Sequence, residues 1–103
     1  MRYKPQTKSE LNKNYIRVES ILQKCDFDFD KAKSLATTQA NRITNENKCI
    51  NRAMVAKELS DESTNLTSLI YKEIYNVFFQ RAYELGSVSK QDFREYQLEK
   101  LGL

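Results

Sequence analysis

Residues 61–85 read DESTNLTSLIYKEIYNVFFQRAYEL, and this stretch decides the fold. Leu66, Leu69, Ile70, Ile74, Val77, Phe78, Ala82 and Leu85 recur at steps that give an α-helix one broad apolar face. Tyr71, Tyr75, Phe79 and Tyr83 form a second row beside it at i, i+4 spacing. Ser60-Asp61-Glu62-Ser63 reads as an N-cap followed by acidic first-turn residues, which predicts a helix over 61–85. A helix apolar over so wide an arc either lies at the centre of a bundle or commits half of its surface to a partner.

The neighbouring segments carry the same period. Downstream, Gly86 supplies a left-handed C-terminal stop, and Ser89 with Asp92 forms a capping box for a helix over 89–101. That helix turns Phe93, Tyr96 and Leu101 inward. Upstream, Ile50, Ala53, Met54, Val55, Ala56 and Leu59 predict a helix over 48–59. Ala32, Leu35, Ala36, Ala40 and Ile43 predict another over 30–44, with a break at the Thr and Asn residues of 44–47; one helix running through to Leu59 is the alternative. In Asp26-Phe27-Asp28-Phe29-Asp30 an aspartate caps the following helix while the two phenylalanines plug the core. Thr7 and Glu10 open a helix over 8–25 with the stripe Leu11, Tyr15, Val18, Leu22 and Cys25, leaving Lys13, Arg17, Ser20 and Lys24 to water. Strand alternation and Asn-Gly turns are missing, and there are two glycines and one proline. The expected fold is all-α: a single domain over 1–103, a small bundle of four or five helices with no sheet.

Composition narrows the chemistry. The 103 residues include no histidine, which removes the commonest general base and the commonest zinc ligand. Glycine is too scarce for a phosphate-cradling loop. Asp26, Asp28 and Asp30 imitate the first ligands of a calcium loop, but Lys31 stands at the glycine position and Thr37 at the bidentate glutamate position. No catalytic residue, cofactor or metal is therefore assigned, and the chain reads as non-enzymatic. Cys25 and Cys49 lack CxxC spacing and read as packing thiols of a reducing compartment. No apolar run is long enough to span a membrane and no signal-peptide pattern opens the chain, so a cytoplasmic location is expected.

Charge is uneven along the chain. Residues 1–57 hold 12 basic and 6 acidic side chains, a net +6; residues 58–103 hold 5 and 8, a net −3. Lys31, Lys33, Arg42, Lys48, Arg52 and Lys57 lie among Asn and Thr, a combination suited to a phosphate backbone or an acidic protein surface. Residues 52–72 also fit a helix-turn-helix, with a first helix Arg52 to Leu59, a turn at 60–62 and a second helix from Ser63. Leu66 and Leu69 would then face inward, while Ser63, Thr64, Asn65, Thr67, Ser68 and Lys72 reach a DNA groove. Asp61 and Glu62 oppose that use, because they put negative charge beside the helix end that approaches DNA.

These features predict a small regulatory protein that occupies a surface of a larger protein partner, in the manner of a phage or plasmid inhibitor or adaptor. Tyr71, Tyr75, Phe79 and Tyr83 are its expected binding patch, since aromatic residues anchor interfaces. The same row also suits a homodimer seam or the core beneath the C-terminal helix. A helix-turn-helix DNA-binding regulator is the alternative function, and a homo-oligomeric structural subunit the third.

Overall fold

Local capping chemistry sets where each helix begins. The computed structural model describes residues 6–102 and arranges them as α1 (Lys8–Cys25), α2 (Phe29–Arg42), α3 (Glu46–Glu62), α4 (Asn65–Leu85) and α5 (Lys90–Lys100). Among the described residues there is no strand, and the all-α bundle stands. Thr7 Oγ1 accepts from the Glu10 N–H at 3.1 Å, and Ser89 accepts from the Asp92 N–H at the same distance. Each satisfies a donor that the first helical turn leaves without a partner.

The α1–α2 turn departs from expectation in one respect. Asp26 and Phe27 both adopt left-handed backbone, φ 53° and 57°, and Asp28 then caps α2 by accepting from the Lys31 N–H at 3.1 Å. This sharp reversal leaves Phe27 59% and Phe29 40% exposed, so neither plugs the core. Asn45 caps α3, accepting from the Lys48 N–H at 3.0 Å, so residues 31–59 form two helices and α3 starts before residue 48.

The α3–α4 junction needs a larger correction. Asp61 and Glu62 close α3 instead of opening α4, Ser63 and Thr64 make the turn, and α4 starts at Asn65. Ser60 is no N-cap: its hydroxyl donates to the Ser68 carbonyl at 2.8 Å, and the Ser68 hydroxyl donates back to the Ser60 carbonyl at 2.7 Å. This reciprocal pair holds the two helices close at the turn. It also leaves Leu66 (40%) and Leu69 (55%) exposed rather than inward.

The core lies between α4 and the other long helices. α4 packs along α3 and against α2, while α1 closes over α2 and α3. Ala32, Ala36 and Ala40 keep the α2 surface low enough to take the bulky α4 face, where Ile70, Ile74 and Phe78 are fully buried. Arg81 of α4 clasps the end of α2, donating from Nε to the Ala40 carbonyl and from Nη2 to the Ile43 carbonyl, each at 3.2 Å. These carbonyls carry the negative end of the α2 dipole, so a cation there is favourable.

α5 is attached differently. Its backbone makes no close approach comparable to those among α1–α4, and two large rings span the gap. Phe93 stacks on Tyr83 with centroids 3.9 Å apart, and Tyr96 stacks on Phe79 at 4.4 Å. The Tyr96 hydroxyl donates to Asn76 Oδ1 at 2.9 Å. Leu101 follows the end of α5 and is 73% exposed, not inward as the spacing suggested.

Candidate functional site

The aromatic row is core beneath α5. Tyr71 is 4%, Tyr75 7% and Phe79 1% exposed, and Tyr83 is half-buried under Phe93. Of the three placements open from sequence, this burial matches the third, with Tyr83 the most open of the four rings. Burial raises the pKa of the Tyr75 and Tyr96 hydroxyls, the latter to about 12.

The helix-turn-helix set divides between the α3–α4 turn and α4. Ser68 is bonded to Ser60, Ser63 and Thr67 are half-buried, and Thr64, Asn65 and Lys72 are exposed. Arg52, expected on an outer face, is only 5% exposed.

Arg52 is where the basic residues converge. It lines a cleft of about 190 Å³ with Arg17, Gln39, Arg42, Ile43 and Lys48. Arg17, Gln39 and Arg42 are shared with a second cleft of about 200 Å³, where Ser20, Lys24 and Thr38 join them. Lys48 is shared with a third, of about 430 Å³, lined by Glu10, Lys13, Asn14, Asn45, Asn47 and Asn51. These shared residues make the three clefts neighbours along α1, α2 and the N-terminal end of α3, and together they are called the groove below. Lys13, Arg17, Lys24, Arg42, Lys48 and Arg52 line it against the single carboxylate of Glu10.

The floor of the groove is built around Arg52. Its Nε donates to Asn14 Oδ1 at 3.1 Å and its Nη1 to Gln39 Oε1 at 3.4 Å. Its guanidinium carbon lies 5.7 Å from the Phe78 ring centroid. Asn14 is itself 3% exposed and steadied by Gln6, whose Oε1 accepts from Asn14 Nδ2 at 2.8 Å. Both polar partners of Arg52 are thus neutral amides, and among the described residues no carboxylate forms an ion pair with it. Burial lowers its pKa, and the charge of Arg17 lowers it further. A buried charge ordinarily has an opposite charge beside it. Here a buried cation sits beside another cation, an arrangement that an incoming anion would relieve.

The structure separates the six expected cations into two groups. Arg42, Lys48 and Arg52 belong to the groove, while Lys31, Lys33 and Lys57 do not. Lys33 lines a cleft between α2 and α4 together with Glu73 and Glu84, Lys57 reaches over the Tyr75 ring at 5.9 Å, and Lys31 is exposed outside the groove. Sequence reading missed Lys13, Arg17 and Lys24 as site residues, although steps of four and seven place them on one stripe of α1. That stripe was the available signal.

The groove has hydrogen-bond donors and fixed charge. Cys49 is buried, donates to the Phe78 carbonyl with Sγ···O 3.2 Å, and is pushed up to about 12 by burial. Among the described residues, no three His, Cys, Asp or Glu side chains come together where they could hold a metal ion. None of the described helices is long and apolar enough to cross a membrane. No family model matches the chain, nor does any curated protein or solved structure.

Proposed function

We propose that this protein is a non-enzymatic regulatory binding protein that works by seating a polyanionic surface of a larger partner in the groove formed by α1, α2 and α3. The observation that carries this reading is Arg52: a guanidinium 5% exposed, held by two neutral amides, at the base of a groove whose central cleft contains no carboxylate. Surface cations that serve only solubility stay in water, since removing such a charge from solvent is costly. Asn14 and Gln39 hold Arg52 in place without neutralising it, which supports a role in taking up an outside anion. The buried aromatic row removes the main competing surface for a partner.

Thermal unfolding in the presence of a generic polyanion tests this. Inorganic polyphosphate at about a hundred times its dissociation constant should raise Tm by about 11–22 °C, from ~2.7 kcal/mol of linkage and ~4–8 °C per kcal/mol. Arg17 and Arg42 are exposed, so Arg17→Glu with Arg42→Glu should fold normally and lose this shift. An equal rise in Tm for the double variant would remove the groove from the function.

A further inference from the structure

Building on the groove reading above, we infer that its partner is the phosphate backbone of duplex nucleic acid, gripped without readout of base sequence. Four observations converge on that class of ligand. The first is reach. Lys13 and Lys24 stand eleven residues apart on α1, about 16 Å along a helix. A duplex strand presents one phosphate per ~3.4 Å of its axis, so the groove faces about five phosphates. Six cations line that length.

The second is composition. Beside the cations the groove offers Ser20 and Asn45, neutral side chains of the kind that donate to phosphate oxygens. The third is the absence of any aromatic residue from the three lining sets. Single strands are held largely by stacking bases on rings, and among the described residues this groove has no ring to stack on. The fourth is polarity. A protein partner is ordinarily anchored on an apolar centre, whereas the central cleft has Ile43 as its one aliphatic residue among Arg, Lys and Gln. Protein–DNA interfaces are the more polar and more positively charged class.

Arg52 then acts as the fixed point of the grip. Its fork is already oriented by Asn14 and Gln39, so less side-chain freedom is lost when a phosphate arrives. Arg17 and Arg42 stand at the mouth of the same cleft and share that phosphate or its neighbours.

The test is fluorescence anisotropy with three labelled probes: a mixed-sequence duplex of about 20 base pairs, one of its strands alone, and poly-L-glutamate of equal charge. The duplex should bind most tightly, with log K falling against log salt at a slope of about −5, a loss of about a thousandfold between ~50 and ~200 mM. A second duplex of scrambled sequence should bind within about twofold. Arg17→Glu with Arg42→Glu should weaken duplex binding at least about a hundredfold and flatten the slope by about two. Lys57→Glu, outside the groove, should change it by less than about threefold. Tighter binding of the single strand or of polyglutamate would overturn the inference, as would duplex binding that is indifferent to Arg17 and Arg42. Polyglutamate bound in an Arg17- and Arg42-dependent way, with no duplex binding, would leave the groove reading standing and sink the nucleic-acid one. No binding of any probe, with no Tm shift in polyphosphate, would end both.

Discussion

The aromatic row of α4 and the basic groove of α1–α3 each concentrate one kind of residue beyond what a small bundle needs. They resolve that excess in opposite ways. The rings of Tyr75, Phe79 and Tyr83 are met within the chain by Phe93 and Tyr96 of α5, at centroid distances of 3.9–6.4 Å. The cations of the groove are met by no comparable set of carboxylates, although the chain carries 14 acidic residues. Arg81, by contrast, has both α2 carbonyls and Glu84 at 3.6 Å. Surplus residues are therefore weak evidence for a binding surface until the structure shows whether the chain itself answers them. Here the aromatic excess is internal and the cationic excess is left open.

The hardest blow to this contrast would come from Phe79. The ring is 1% exposed and lies against Tyr75, Phe93 and Tyr96. Phe79→Ala should cost about 3–5 kcal/mol, from lost transfer energy and the cavity left behind, read as a lowered urea midpoint. A cost under about 1 kcal/mol would mean that the row is not core and would reopen it as a docking face.

What sequence revealed about these regions follows the range of the forces involved. Thr7, Asp28 and Ser89 act on backbone groups three residues away, so their caps were legible, and the helical period needed only the apolar spacing. The α3–α4 boundary was misplaced because Asp61 and Glu62 suit either side of a turn, and the hydroxyl exchange between Ser60 and Ser68 decides it. Phe27 and Phe29 were misplaced because two consecutive left-handed residues, which no spacing rule signals, turn the chain there. Arg52 was read as exposed because its burial depends on Asn14, 38 residues away, and on Gln39. The groove is a tertiary object, and its α1 stripe was visible only as an unassigned polar face.

Alkaline pH separates the two regions by a second route. Burial holds Tyr96 and Cys49 up to about 12, and the 2.6 Å hydrogen bond to Glu58 holds Tyr15 there as well. A group whose folded pKa is raised contributes stability that is complete below its unfolded value and is lost as pH climbs to the folded one. For these groups the window opens near pH 9–10 and closes near 12. Urea midpoints should hold from pH 6 to 8 and drop steadily above about 9, with Tyr15→Phe reducing the drop. Binding in the groove rests on Arg and Lys and should stay level to about pH 9. A midpoint that rises between pH 9 and 11 would contradict the assigned surroundings of these groups.

The smallest expected effect on stability is the most telling one. Arg52→Met removes a buried charge that has no carboxylate to leave stranded, and methionine fills much of the same space over Phe78. The losses are two hydrogen bonds to amides, one of them long at 3.4 Å. The gains are an end to desolvating the guanidinium and to its repulsion with Arg17. The two sides should nearly cancel, leaving stability within about 1 kcal/mol of wild type by urea denaturation while duplex affinity falls at least about tenfold. Arg81→Met should cost more, about 1–2 kcal/mol, because it strips a cation from the carbonyl end of α2. Should Arg52→Met instead cost 3 kcal/mol or more, Arg52 would be a structural residue satisfied by its amides. The contrast between a closed aromatic region and an open cationic one would then fail at its central residue.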